Sequence, residues 1–293
     1  MISFRYHIVS IVAVFLALAL GIVVGTTALN GPITKDLRHQ VNDAKKQRDN
    51  LASQVKALQG QVDDAGQFAS TYGTQLVAGK LTGKSVLVVS LPGVGTSMQD
   101  GIGQQITAAG GKIGGRVTMT NNYLDSSQSS KVSALATGGT HPSALTLPVT
   151  SDPAKLGAAT LAFVLVGKGQ STDLTQIVSG FTSLHMMSVD GSSVTPSTSI
   201  IVLGKGTLDA KSYGAQAELD LVDALAAAGG KVVLAGDTGS ATGGGTIALV
   251  RDASASRGAL STVDDADTAF GHVSTVLALA SALKGQPGHY GTG

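Results

Sequence analysis

The feature that most constrains this chain is an apolar run near its start. IVSIVAVFLALALGIVV, from Ile8 to Val24, is seventeen residues without a charge, interrupted in apolar character only by Ser10 and Gly21. Extension through Gly25, Thr26, Thr27 and Ala28 to Leu29 makes twenty-two. A helix of about 20 residues spans the ~30 Å hydrocarbon layer, so the length predicts a membrane crossing. A cleavable signal peptide is the alternative, with Thr26 and Ala28 in a loose A-x-A-like pattern. The apolar region of such a peptide runs only ~7–15 residues, which favours a retained anchor over residues 8–29 behind a tail of 1–7. Arg5 and the terminal amine face Lys35 and Arg38 across the span. The positive-inside rule therefore leaves the orientation open.

Behind the anchor, residues 30–66 carry a different period. Heptads place Thr34, Val41, Arg48, Val55 and Val62 at a, and Leu37, Ala44, Leu51, Leu58 and Ala65 at d. Val at a with Leu at d favours a two-stranded parallel coil, and Arg48 at one a position weakens the seam while penalising misaligned registers. The g positions Gln40, Gln47, Gln54 and Gln61 are neutral, so charge does not select between a homodimer and a hetero-oligomer. The alternative is one amphipathic helix packed on its own domain. Glycine costs about 1 kcal/mol in a helix interior, so fraying is expected near Gly66, with a connection over 67–79 through Gly73 and Gly79.

The remainder, 80–293, reads as one α/β domain. Apolar runs at Ser85–Leu91, Leu161–Val166, Ser199–Leu203, Lys231–Ala235 and Thr246–Val250 predict buried strands. Helices are expected over Met98–Ala109, Ala215–Ala228 and Ala269–Leu283, the second stopped by Gly229-Gly230. Alternation of this kind predicts a mostly parallel, Rossmann-like or flavodoxin-like sheet with helices on its faces. The stretches Thr137–Ser151 and Ser188–Ser199, rich in Ser, Thr, Pro and Gly, read as surface loops. LVGKG at Leu165–Gly169 and VLGKG at Val202–Gly206 end two of the expected strands alike, which hints at two similar sheet halves.

Several chemistries find no support. With 20 Lys+Arg against 19 Asp+Glu there is no net field for nucleic acid, and with no Cys there are no disulfides, thiolate sites or Cys nucleophiles. Gly93-Val94-Gly95 stands where a dinucleotide fingerprint begins, but Met98 replaces its third glycine, and the Gly-Lys-Gly turns lack the P-loop spacing. No serine lies in G-x-S-x-G, so no enzyme is expected. Asp264, Asp265 and Asp267 contain oxygen ligands for a hard cation, yet Asp267 or Thr268 as N-cap of the last helix explains them better. His185-Met186-Met187 is the one soft-ligand cluster. In an extended segment His185 and Met187 point to the same face, a pair suited to Cu(I), with core packing as the alternative. His272 and His289 are scattered further candidates.

Both ends of the chain, MISFRYHIVSIVAVFLALALGIVVG at the start and STVDDAD then GQPGHYGTG at the finish, together with GKSVLVV, resemble the MctB family of actinobacteria. The resemblance implies an envelope protein with most of the chain outside the cytoplasm, handling copper as a transported or bound ion, with no other cofactor. It also brings an alternative, because a related member, SteB, is implicated in cell separation with a partner, SteA. The partners to expect are thus membrane lipid, a second chain along the stalk, copper, and a SteA-like protein. No family copper ligands carry over. A lone helix encloses no pore, so conduction requires oligomers or a partner, and βα units are unlike the ~10-residue amphipathic strands of a membrane barrel.

Overall fold

Val, Ile and Leu in short runs build strands that are buried on both faces, and three such runs form the centre of the sheet. In the computed structural model these are β1 (Ser85–Ser90), β4 (Ser199–Gly204) and β5 (Lys231–Gly236). The described residues are 4–138, 142–191, 193–206, 208–252 and 260–291, without the side chains of 27–34. Thr292 and Gly293 of the tail therefore lie outside them, as does the side chain of the first a position, Thr34. The chain divides into two units, Met1–Asp63 and Asp64–Gly293.

The first unit is helical. Helix α1 is assigned over Phe4–Val77, and its segment Phe4–Thr26 has a mean hydropathy of 2.9 with none of that window buried. The apolar heptad positions Leu37, Val41, Leu51, Val55, Leu58 and Val62 are all exposed.

In the second unit the helix does not fray at Gly66, and no connection begins at residue 67. Ala69 and Val77 are buried, and Gly73 lies so close to the body that a Cβ there would come within 2.6 Å of Val273 Cγ2. Burial of a side chain such as Val77 stabilises by about 1.5–3 kcal/mol, which outweighs the roughly 1 kcal/mol cost of a helical glycine. After the turn at Gly79 and Gly83 the body proceeds through β1, α2 (Thr96–Ala108), β2 (Lys112–Met119), α3 (Ser129–Thr137), α4 (Pro153–Leu165), α5 (Ser171–Ser183), β3 (Met187–Asp190), β4, α6 (Tyr213–Ala227), β5, α7 (Thr246–Asp252), β6 (Ser261–Val263), α8 (Ala269–Leu283) and β7 (His289–Tyr290).

Among the described residues the strands form one sheet, ordered β3-β2-β1-β4-β5-β6-β7. Only β3 runs antiparallel, against β2. Without it the order is the flavodoxin-like 2-1-3-4-5 with one strand added, and the order reverses between β1 and β4. Alternate residues feed two cores. Leu87, Val89, Ile200 and Val202 face α4, α6 and α7, whereas Val86, Val88, Ile201 and Leu203 face α2, α8 and the end of α1.

Two expected strands are helices. Leu161–Val166 belongs almost wholly to α4, which starts where Asp152 accepts the Ala154 N–H at 3.0 Å and Pro153 takes the first turn. Thr246–Val250 lies in α7. A short apolar run does not by itself distinguish a buried strand from a buried helix, and here the packing decides. LVGKG at Leu165–Gly169 consequently follows a helix, so the likeness to VLGKG reflects no repeated strand. Conversely, β2 contains Gly114 and Gly115, which hide a strand from pattern reading. The register to β1 shifts at this point because Gly114 sits against Ser85 and the Thr195 carbonyl, where a side chain has no room.

Candidate functional site

The expected soft-ligand pair sits at the end of α5. The His185 N–H donates to the Thr182 carbonyl at 2.9 Å and the Met186 N–H to the Phe181 carbonyl at 3.0 Å, a Schellman stop. His185 takes the left-handed position of that motif with φ +54°, where glycine is usual. It is thus not extended, and the alternation that aimed His185 and Met187 together starts only at β3. The His185 side chain is exposed, whereas Met187 is 2% exposed in the core, opposite Met119 of β2. The structure brings Met187 to another thioether and does not bring it to His185. Met119 was not singled out in the sequence, since only the antiparallel pairing makes it a neighbour.

The acidic group after β6 is resolved by its partners. Asp264 is fully buried, and Arg251 of α7 donates from Nη1 to its Oδ2 at 2.7 Å. The same guanidinium donates from Nε to Thr262 Oγ1 at 3.0 Å and from Nη2 to the Tyr290 carbonyl at 3.0 Å. Thr262 Oγ1 also lies 2.9 Å from His289 Nδ1, a hydrogen bond whose direction follows the imidazole tautomer. Burial, and then the Arg251 charge, hold His289 below the usual imidazole value. Asp265 is pushed up by burial and by Asp264. Of the two proposed caps, Thr268 is the one used, accepting the Gly271 N–H at 3.0 Å. Among the described residues no group of three or more His, Asp or Glu side chains is placed to hold a metal ion.

His272 lies half-buried with its ring on Gly101 of α2, and burial lowers its pKa. At the β1/β4 reversal Gly93 has φ +87°, while Met98 points into the core at 4% exposure. The residue that replaces the third fingerprint glycine is thus a packing residue. Lys205 is exposed beside Gly206, whose N–H donates to Asp237 Oδ1 at 2.9 Å.

Two features were not legible in the sequence. Glu218 of α6 is 5% exposed, accepts from the Thr246 hydroxyl, and has its pKa raised by burial to about 7. Nearby Tyr123 is 2% exposed, and burial followed by Tyr213, Asp220 and Glu218 drives its phenol upward. A cavity of about 670 Å³ is also lined by α4, α6 and the segment Ala144–Pro148, with Phe163 and Ala224 beside Lys155, Lys168, Asp220 and Asp223. These contacts join segments far apart in the chain, and no local pattern announces them.

A membrane-length apolar helix followed by a doubly wound α/β body defines a membrane-anchored protein whose sheet is enclosed by its own helices. The whole chain, residues 1–293, matches the family described as "Copper transport outer membrane protein, MctB", and it belongs to that family. It is similar to the proteins named copper transporter MctB of Mycobacterium tuberculosis and Mycobacterium bovis, each 28% identical over 305 residues that cover 100% of this chain and 97% of the relative. The copper transporter MctB of Mycobacterium leprae is 28% identical over 317 residues with the same coverage. None of these three names refers to cell separation.

Proposed function

We propose that this chain is a non-enzymatic copper-homeostasis protein of the cell envelope, anchored by α1, with its α/β body outside the cytoplasm. The observation that carries this reading is the end-to-end similarity to relatives named copper transporters, with no part of this chain left uncovered. Among the described residues one helix is of membrane length, and one helix encloses no pore, so the transport reading needs more than one copy or a partner. The exposed a and d residues of the stalk supply the means, through a parallel pair of α1 helices.

Deletion of the gene should sensitise cells to copper, and the full-length chain should restore tolerance. Cells that keep their copper tolerance but stay joined in chains after division would overturn the copper reading in favour of separation. For sidedness, a single Cys in place of exposed Lys205 should react with an impermeant maleimide on spheroplasts; reaction only after lysis would place the body inside.

On this reading the Cu(I) donors are His185 and Met187. The structure holds them apart, His185 exposed and Met187 buried, so the pair is tested directly by substitution. The full-length protein and a His185→Asn/Met187→Leu double variant, which tolerates the left-handed turn and conserves core volume, should be titrated with Cu(I) against a competing chelator. Equal affinities would eliminate the pair.

A further inference from the structure

The end of α1 that belongs to the body has two apolar stripes, and only one of them is used. Ala69, Gly73 and Val77, spaced four apart, are buried, with Gly73 against Val273 of α8. Phe68, Tyr72 and Leu76 have the same spacing one residue earlier, yet they are 52%, 47% and 45% exposed. The rings of Phe68 and Tyr72 lie tilted against each other with centroids 5.2 Å apart, so two of the three already make one aromatic contact. Side chains three and four apart share one face of a helix, which makes this a continuous ridge. Isolated exposed apolar residues are ordinary on protein surfaces; a ridge of three large ones is not.

The sequence identifies what covers it. Continued from Val62 and Ala65, the heptad puts Ala69 at a, Tyr72 at d, Leu76 at a and Phe68 at the flanking g position. A repeat of 3.5 residues is the signature of a helix pairing with another helix in register, and an undirected apolar surface would have no reason to keep it. The ridge keeps the phase of the stalk after the chain has entered the body, with Ala69 as the single layer turned toward its own domain. The neutral g residues Gln40, Gln47, Gln54 and Gln61 place no like charges across a pair of identical chains.

We infer that Phe68, Tyr72 and Leu76 form a pairing surface for a second copy of this chain, so that the coil runs past the stalk and holds two α/β bodies side by side. This rests on the paired stalk proposed above and adds that the seam ends at Leu76, not at Ala65. The bodies then flank the seam, each bound to its own helix through Ala69, Gly73 and Val77.

The chain has no Cys, so single substitutions report cleanly. A disulfide requires Cα atoms about 4.4–6.8 Å apart, a separation that a parallel pair offers only along its seam. Val55→Cys, Leu76→Cys and the outward Thr74→Cys should be made in the full-length protein in its native membranes and oxidised. The inference requires disulfide-linked dimer at Val55→Cys and Leu76→Cys, with little at Thr74→Cys. Dimer at Val55→Cys without Leu76→Cys would overturn the inference and leave the paired stalk standing, whereas dimer at neither would overturn both. Equal dimer at Leu76→Cys and Thr74→Cys would also count against it, as collision without register. A non-covalent check is Tyr72→Lys, which leaves the buried stripe untouched. It should lower the linked fraction at Leu76→Cys, and an unchanged fraction would contradict the surface.

Discussion

Replacing Arg251 with Ala should destabilise the body severalfold more than a surface charge change does. The guanidinium ties α7 to β6 and β7 at once, through Thr262, the fully buried Asp264 and the Tyr290 carbonyl. Removing one member of a buried ion pair costs about 3–5 kcal/mol, because the remaining charge loses its compensation in a medium that solvates it poorly. Arg251 is itself 18% exposed, so water enters beside Asp264 and the lower end, about 3 kcal/mol, is expected. For a domain of this size each kcal/mol moves the midpoint by roughly 2–4 °C, which gives a fall of about 6–12 °C. Thermal unfolding of the purified full-length chain, followed by near-UV ellipticity, isolates the body, since the chain has no Trp and Tyr123 is buried in its core. In an Asp264→Asn background the same change removes only hydrogen bonds to uncharged groups, and its cost should shrink to about 1–2 kcal/mol. A loss below about 1 kcal/mol in the Asp264 background, the value of an exposed salt bridge, would refute the reasoning. So would equal losses in the two backgrounds.

Glu218 predicts a stability loss as pH rises from acidic to neutral. Its pKa is raised from 4.5 to about 7, so its contribution is complete below 4.5 and lost as pH rises through 7, approaching roughly 3 kcal/mol by pH 8. Glu218→Gln should therefore gain on wild type in urea midpoints between pH 5 and pH 8, and a constant gap would contradict this. His289 acts in the opposite direction: lowered from 6.5, it contributes stability above 6.5 that is lost as pH falls through its depressed value. Exchange of the Asp264 amide, which donates to Tyr290, should accelerate on acidification beyond the intrinsic rate in wild type and not in His289→Gln. Glycine positions give opposite signs for one substitution. Gly60→Ala, with open space around it, should raise helix stability by about 1 kcal/mol, whereas Gly271→Ala, pressed on the Asp265 backbone carbonyl, should cost about 1–3 kcal/mol in body unfolding.

The central strands were legible because a strand buried on both faces is nearly all Val, Ile and Leu: Ser85–Leu91, Ser199–Leu203 and Lys231–Ala235 announce themselves. The helices after β1 and β4 and the last helix were legible through their glycine stops and the Thr268 cap. Leu161–Val166 and Thr246–Val250 were misread for the same reason that the strands were read well. A helix enclosed on most sides is as apolar as a strand, and short windows carry no period that separates them. β2 was missed because its glycines answer to Ser85 and Thr195, and β6 and β7 because three and two residues are too few to form a pattern.

The candidate site shows the same division. His185 and Met187 are close in sequence, but the chain turns left-handed between helix and strand, so one side chain meets water and the other meets Met119. Arg251, Thr262, Asp264 and His289 are ordinary residues until α7, β6 and β7 bring them within hydrogen-bonding reach. By itself the sequence determined what depends on local composition and period: a membrane-length apolar helix, a 3.5-residue repeat behind it, and alternating β and α segments. Tertiary structure alone decided which residues are buried beside which, and with it the Glu218 pKa and the pairing of Asp264. Those are properties of an environment assembled from segments tens of residues apart, and no window of sequence contains them.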